Sequence, residues 1–152
     1  MATIYSLFIE EDQTTLFENF LNENKTKYFK EVKDIVTRLK VIGNDTGARE
    51  QFFKLNEGNI GDGVCALYDT DKSNLRLYCV RFGMALVVVG GGGFKPKSIR
   101  ALQDDPKLTY ENLFLREFVK ELMIKMKDKD IRINYSMDPE EFDGDLEFNI
   151  NI

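Results

Sequence analysis

The fold is decided by the stretch LRLYCVRFGMALVVVGGGG, residues 75–93. Two arginines interleave with aliphatic, aromatic and other strand-forming residues over residues 75–82, which is typical of a strand. The aliphatic run over residues 84–89 predicts a second strand. Gly83, between the two, occupies a position where a tight hairpin turn favours a positive φ. We therefore expect an antiparallel hairpin with a two-residue loop at Gly83 and Met84.

A two-residue loop fixes which residues lie opposite each other in this hairpin. Arg76 would lie opposite Gly91. Because side chains alternate along a strand, Arg76, Tyr78 and Val80 would share one side of the sheet. We expect that side to be open, with the four glycines of residues 90–93 beside it, while the opposite side packs against helices.

Segments on either side of the hairpin predict further strands and several helices. Thr15 and Glu18 have the spacing of a capping box, which predicts a short helix from this point. Apolar residues from Phe29 to Leu39 recur every three or four positions, as in a helix with one buried face. The full predicted order is strand 2–9, helices from residue 15 and over 26–42, a short helix within 47–55, strands 64–68, 75–82 and 84–89, a short helix or turn ending near residue 102, helix 112–127, and strands 131–135 and 146–150.

This order of elements predicts an α+β fold in a single domain spanning residues 1–152. We expect N-terminal helices packed on a small, mainly antiparallel sheet within a core of residues 1–102. A C-terminal helix and an acidic extension would follow over residues 103–152.

Composition narrows the chemistry that the chain could perform. Among its 152 residues there are no histidines, which excludes His-dependent triads and His metal ligands. Cys65 and Cys79 lack the CxxC spacing and are typical of buried thiols in a reducing compartment. No signal peptide or membrane-spanning run is visible, so we expect a cytoplasmic protein with no membrane partner. No motif predicts a cofactor or a metal ion.

The net charge of −5 hides an uneven distribution along the chain. Residues 138–152 hold six acids and no base, whereas residues 72–100 hold no acid and six bases: Lys72, Arg76, Arg81, Lys95, Lys97 and Arg100. Arginine binds a phosphate with two hydrogen bonds, lysine adds charge, and glycine lets a backbone approach closely. The basic segment therefore suits a phosphodiester, although ordinary solvated surface charge is the alternative.

Three features of the basic segment each have a structural interpretation as well as a functional one. The glycines 90–93 match neither a phosphate-binding loop nor a dinucleotide fingerprint, and a flexible strand end or bulge would explain them equally. Tyr78 is a candidate for proton transfer or a half-buried sheet aromatic. Arg76 is a candidate phosphate ligand or a member of a cross-strand ion pair.

The acidic C-terminal segment also has competing interpretations. Residues 138–147 would either fold over the basic segment as an internal anion mimic or form a solvated terminal hairpin. Their carboxylates are dense enough to attract Mg²⁺ or Ca²⁺, as in a metal-dependent nuclease, but they lack the twelve-residue Ca²⁺-loop pattern.

The segments 53–58, 75–82, 86–89 and 93–97 together resemble the core of the RelE/ParE superfamily of toxins from type II toxin–antitoxin systems. The similarity is greatest to its phage-derived HigB-like branch, with a lysine-leucine segment before a Leu-Arg strand and a Gly-Phe followed by lysines. It implies two N-terminal helices on a small antiparallel sheet and ribosome-dependent cleavage of mRNA, which is an endoribonuclease activity. It also implies neutralisation by an antitoxin, which we expect to be a helix-turn-helix protein, and it leaves a homodimer open.

The resemblance assigns roles to the basic residues that match its pattern. Arg76 matches the arginine of the Leu-Arg strand and would bind the phosphate, and Arg81 matches the next strand-end arginine, although alternation directs it to the other side of the sheet. Lys95 would neutralise phosphate or act as an acid, and Tyr78 is our own candidate for proton transfer, from its place on the sheet. The candidate catalytic residues are Arg76, Tyr78, Arg81 and Lys95, and the candidate substrate-binding residues are Lys97, Arg100, Gly91 and Lys54.

The acidic balance and the missing histidine favour a second hypothesis. RNA affinity depends largely on neutralisation of phosphates, and a net charge of −5 opposes it. On this hypothesis the chain is a non-catalytic binding or protein-interaction module with the same fold.

Overall fold

The computed structural model describes residues 1–152. Its central sheet is formed mainly by strands from the middle of the chain. The strands are β1 (Thr3–Ser6), β2 (Phe8–Ile9), β3 (Thr14–Thr15), β4 (Phe53–Lys54), β5 (Val64–Leu67), β6 (Leu75–Phe82), β7 (Leu86–Phe94), β8 (Ile131–Asn134) and β9 (Glu141–Gly144). The α-helices are α1 (Leu16–Asn24), α2 (Phe29–Val41), α3 (Ile99–Gln103) and α4 (Pro106–Lys127). A π-helical turn, Ile42–Thr46, extends α2, and a 3₁₀ turn covers Glu50–Phe52.

The main sheet has five strands in the order β1-β7-β6-β5-β4. β1 runs parallel to β7, and every other pairing in the sheet is antiparallel. The prediction of an α+β fold with a mainly antiparallel sheet is confirmed. The helices do not all precede the sheet, because α4 follows it in the chain and packs on it.

Helix capping explains where two of the helices begin. The Thr15 hydroxyl accepts a hydrogen bond from Glu18 N at 3.0 Å, as the capping-box spacing predicts. Asp105 caps α4 in the same way, accepting from Leu108 N at 2.9 Å, and Pro106 occupies the first turn, where its missing N–H is not needed. This cap starts α4 six residues before the predicted residue 112.

The β6–β7 hairpin differs from the predicted register. Phe82 lies opposite Leu86, so the loop has three residues instead of two, and a bulge between Leu77 and Cys79 shifts the register again. Arg76 consequently lies opposite Gly93 and not Gly91. The positive φ expected at the loop glycine is confirmed.

Residues Gly90–Gly93 form the second half of β7 and are not a loose strand end. A Cβ at Gly90 would lie 2.7–2.9 Å from three side-chain atoms of Leu115, and one at Gly92 would collide with the backbone carbonyl of Arg76. Glycine is required here because α4 and β6 approach the backbone closely.

Helices cover both sides of the sheet, so the structure has three layers. On one side Leu77 and Cys79 pack against Phe20 of α1 and Ile35 of α2. On the other side Tyr78, Val80 and Val88 pack against residues of α4, which include Leu115, Phe118 and Leu122. The alternation predicted for β6 is confirmed, but the prediction that the Tyr78 side is open is wrong. The apolar stripe of α4 needs an apolar surface to cover, and this side of the sheet provides it.

Two further predictions are corrected by packing. Phe29 was expected in the buried stripe of α2 but is 62% exposed at the first position of the helix, and the buried residues of α2 are Val32, Ile35 and Leu39. Residues 146–150 do not form a strand, although Phe148 and Ile150 pack against the α4 side of the core.

The acidic C-terminal segment lies beside the far end of β6 and does not cover the basic segment. Asp143 pairs with Arg132 at 3.1 Å within the β8–β9 hairpin, and Asp145 pairs with Lys125 of α4 at 2.9 Å. The Phe142 ring contacts the Phe82 ring at 5.3 Å between centroids, at the opposite end of β6 from Arg76. The anion-mimic interpretation is therefore wrong.

Two negative findings concern metals and membranes. The structure contains no group of three or more cysteine, aspartate or glutamate side chains arranged to hold a metal ion. No helix combines the length and the apolar character that crossing a bilayer requires.

Candidate functional site

The turn between β5 and β6 begins at Asp69, whose buried carboxylate binds three cations. Lys54 Nζ lies 2.7 Å and Lys95 Nζ 2.8 Å from Asp69 Oδ1. The guanidinium of Arg76 donates to the same carboxylate from Nε at 3.0 Å and from Nη2 at 3.2 Å. Arg76 Nη1 also lies 3.5 Å from Glu57 Oε1. We call these five residues, Lys54, Glu57, Asp69, Arg76 and Lys95, the Asp69 cluster.

Mutual pairing favours the charged forms of Asp69 and Arg76. Burial by itself would raise the pKa of Asp69, but hydrogen bonds from the three cations outweigh burial and lower the pKa to about 2. Burial disfavours the charged form of Arg76, yet the hydrogen bond and the charge of Asp69 raise its pKa. A phosphate would have to displace Asp69 before it could bind these cations.

Backbone carbonyls of the same turn accept hydrogen bonds from two of the predicted lysines. Lys95 Nζ donates to the carbonyl of Thr70, and Lys97 Nζ donates to the carbonyls of Ser73 at 2.8 Å and Lys72 at 3.2 Å. These contacts tie the β5–β6 turn to the end of β7. The lysines therefore have a structural role that the sequence did not indicate.

Tyr78 is poorly placed to move a proton to a substrate. It is 5% exposed and packs in the core beneath α4. Burial is the largest influence on its hydroxyl and raises the pKa above the ordinary value, although Arg76 beside it acts in the opposite direction. The phenol therefore retains its proton and has no open path to a ligand.

The remaining predicted residues do not join the Asp69 cluster. Arg81 lies on the other side of the sheet and donates to the carbonyl of Ala48 at 2.6 Å. The side chain of Arg100 is 95% exposed on α3. Gly91 lies under α4, away from the turn. The structure therefore brings together Arg76, Lys95 and Lys54, with Lys97 on the adjoining carbonyls. Tyr78 lies beside Arg76 but is buried under α4. Arg81, Arg100 and Gly91 lie elsewhere on the molecule.

The two cysteines are neighbours in the core. Cys65 of β5 lies opposite Cys79 of β6, and both thiols are free and buried. Burial raises the pKa of Cys65 to about 12 and raises that of Cys79 as well. Neither thiol is therefore a ready nucleophile, because the thiolate is the reactive form.

A cavity of about 300 Å³ lies beside the glycine half of β7, and we call it the edge cavity. β1 ends at Ser6, opposite Val89, so the edge of β7 from Gly90 onward has no neighbouring strand. Helices α1 and α4, from opposite sides of the sheet, come together across this edge. Gly91 and Gly92 line the edge cavity, and its polar side chains are Asp12, Asn19, Glu23, Lys107, Tyr110 and Glu111.

Glu111 has an unusual environment in this cavity. It is 4% exposed, and its Oε1 accepts a hydrogen bond from Lys107 Nζ at 2.8 Å. Lys107 Nζ also lies 3.5 Å from Glu23 Oε2 of α1, and these two carboxylates raise the pKa of Lys107 against the opposing effect of burial. The second oxygen of Glu111, Oε2, is buried without any hydrogen-bond partner. Most buried polar atoms in proteins have such a partner, so this oxygen stands out.

Sequence reasoning missed both Asp69 and Glu111, although each carries a signal. Asp69 is an acid shortly before a segment that contains only basic charges. Glu111 lies four residues before Leu115, on the stripe that α4 buries, where a carboxylate is out of place. Glu111 has the clearer signal, because its charge interrupts an apolar stripe.

Comparison of the chain with protein-family models, with curated proteins and with solved structures finds no match in any of the three. The geometry of the chain's own residues therefore carries the functional argument.

Proposed function

We propose that the chain is a non-catalytic binding domain of the RelE/HigB-like type, and that its ligand site is the edge cavity. The observation that carries this proposal is that α4 packs over the Tyr78 side of the sheet and buries it. An endonuclease needs room for a phosphodiester beside its cations and its proton carrier. Here Leu115, Phe118 and Leu122 occupy the space beside Tyr78.

The state of the basic residues also supports binding without catalysis. Each buried cation of the Asp69 cluster already has a carboxylate within hydrogen-bond distance. Ion pairs of this kind stabilise a turn and leave little free charge for the transition state of phosphoryl transfer.

The edge cavity has the character of a ligand site. Its volume of about 300 Å³ is at the lower end of the range for small-molecule sites. Six of its twelve lining residues carry polar side chains, beside the apolar Ile9, Leu16, Phe20 and Phe114, so it is more polar than most small-molecule sites and suits a polar or charged ligand. The glycines of β7 let a ligand reach the backbone at the strand edge.

A binding screen of the whole chain tests the proposal. Backbone amide spectra would be recorded against a set of small amines, carboxylic acids, sugars and neutral aromatics. We expect binders to shift the amides of Gly91 and Gly92. Asn19→Trp, which fills the edge cavity, should abolish these shifts, whereas Asn22→Trp, on the exposed side of α1, should retain them. Absence of any binder, or binders that ignore Asn19→Trp, would overturn the proposal.

A ribosome-dependent mRNA endonuclease, neutralised by an antitoxin, is the second candidate. It is favoured by the convergence of Arg76, Lys54 and Lys95 on one carboxylate, since displacement of Asp69 would present all three to a phosphate. Lys97 lies on the adjoining carbonyls and would add a fourth cation.

Induction of the chain without a partner separates the two candidates. The endonuclease predicts growth arrest and cleaved translated mRNA, both relieved by Lys54→Ala and not by Arg100→Ala. Tyr78→Phe removes the hydroxyl and keeps the ring, so it tests proton transfer with little effect on packing. The binding domain predicts unchanged growth and intact mRNA for every variant.

A further inference from the structure

The charges around the edge cavity do not balance. Three carboxylates line it, from Asp12, Glu23 and Glu111, and Lys107 is its one cationic lining residue. Lys107 Nζ lies within 4 Å of both Glu23 and Glu111, so two carboxylates share one ammonium. The lining therefore has a formal charge of −2, with two more carboxylates than cations.

The missing partner has a definite position. Glu111 Oε2 is buried at the cavity wall and accepts no hydrogen bond, while Oε1 of the same carboxylate is bound to Lys107. A Cβ at Gly91 would collide with Oε2, so this oxygen packs against the bare Cα of Gly91, and only glycine leaves room for the carboxylate at this edge of the cavity. A donor that enters the cavity would find an ionic acceptor already fixed in place.

The rest of the lining suits an organic cation better than a hydrated metal ion. Tyr110 and Phe114 lie with their ring centroids 6.3 Å apart at the cavity, and aromatic rings attract cations. Leu16 and Phe20 of α1 provide apolar surface for a short carbon chain.

From these observations we propose that the edge cavity binds a protonated amine or guanidinium on a short aliphatic chain, with Glu111 Oε2 as its main acceptor and Glu23 as a second carboxylate. This inference rests on the proposed function of the edge cavity and adds the chemical class of its ligand. The cationic group comes from a free small molecule or from a lysine or arginine side chain, and the experiment distinguishes the two sources.

Calorimetric titration of the whole chain, with amide shifts as a second readout, tests this proposal. The probes are butane-1,4-diamine and agmatine for a free amine, and N-acetyl-lysine methylamide for a side chain of a peptide. Butan-1-ol and butanoate serve as neutral and anionic probes of similar length. We expect the cations to bind and to shift the Gly91 and Gly92 amides, with the tighter class identifying the source.

Two variants examine the acceptors. Glu111→Gln should weaken cation binding at least tenfold, and Glu23→Gln, at the half-exposed rim, should weaken it severalfold even if Glu111→Gln folds poorly. Glu117→Gln, on the same helix outside the cavity, should leave the affinity unchanged. Equal binding by wild type and both cavity variants would overturn the inference, as would failure of every cation to bind. In that case binding of butan-1-ol or butanoate at Gly91 would preserve the proposed function, whereas a cavity that binds no probe and no compound of the wider screen would remove both.

Discussion

The Asp69 cluster and the edge cavity each contain a buried carboxylate, and they use it in opposite ways. The side chains of Asp69 and Glu111 are both 5% exposed. Asp69 has three cationic partners, whereas Glu111 shares one lysine with Glu23 and keeps one oxygen unbound. The comparison teaches that a buried charge does not by itself mark a functional site. The number of its partners separates a structural ion network from a site that is ready for a ligand.

The largest expected effect follows from removal of the structural carboxylate. Asp69→Asn leaves Arg76 and Lys95 buried without their main counter-charge, which should reduce the free energy of unfolding by about 3–5 kcal/mol. Asp143→Asn, which breaks an exposed ion pair with Arg132, should change it by less than about 1 kcal/mol. Urea unfolding of the two variants measures both effects. Similar losses from the two substitutions would show that the Asp69 cluster is not a buried ion network.

A substitution between the two regions should damage both of them. Gly92 lines the edge cavity, and a Cβ there collides with the carbonyl of Arg76 on the neighbouring strand. Gly92→Ala should therefore destabilise the chain by about 3 kcal/mol, because backbone must move to admit the methyl group. Gly43→Ala, whose Cβ would meet Ile4 at an ordinary 3.4 Å, is the control and should have a small effect when both variants are unfolded in urea.

Acid should weaken the Asp69 cluster within a defined range of pH. The pKa of Asp69 is lowered in the folded chain from 3.8 to about 2, so its contribution to stability is complete above pH 4 and is lost as the pH falls through 2. The shift corresponds to about 2 kcal/mol. Wild type should lose this amount relative to Asp69→Asn between pH 5 and pH 2, and a parallel pH dependence of the two proteins would contradict the assignment.

The smallest expected effect is at the other buried carboxylate. Glu111→Gln removes a charge that the fold satisfies only in part, and Lys107 at 45% side-chain exposure can turn to water. We therefore expect a change in unfolding free energy of less than about 1 kcal/mol, with either sign. A loss as large as that of Asp69→Asn would show that Glu111 is structural and would remove the contrast between the two regions.

The sequence was sufficient to predict those elements that local sequence features determine. β6 has the predicted bounds because strand-forming residues fill it and turn residues flank it, and the Thr15 cap follows from a local spacing. The glycine half of β7 was not predictable in this way, because glycine has no side-chain pattern and forms a strand here through contacts with β6 and α4. The strand predicted over residues 146–150 is absent for the opposite reason. The apolar residues there alternate as in a strand, but they pack on the core without a neighbouring strand to pair with.

The candidate site was less predictable than the fold. The apolar stripe of α4 shows that one face of this helix is buried. The stripe does not show which side of the sheet α4 covers, and for that reason the prediction of an open Tyr78 side was wrong. The clustering of Arg76 with Lys54 and Lys95 depends on Asp69, whose place in a polar turn gave no sign of burial. The role of Glu111 at the edge cavity depends on α1, α4 and the β7 edge together. These elements are distant in the chain, so the sequence pattern around Glu111 does not reveal it.

The parallel pairing of β1 with β7 has a consequence for the order of assembly. Thr3 lies opposite Leu86 and Ser6 opposite Val89, so β1 has no place in the sheet until the chain has been synthesised as far as residue 89. The meander β5–β6–β7 closes through short loops and should form early, whereas docking of β1 closes a much longer loop and should be slow. The N-terminal strand is thus expected to complete the sheet last, which makes it the segment most exposed to mispairing in a nascent chain.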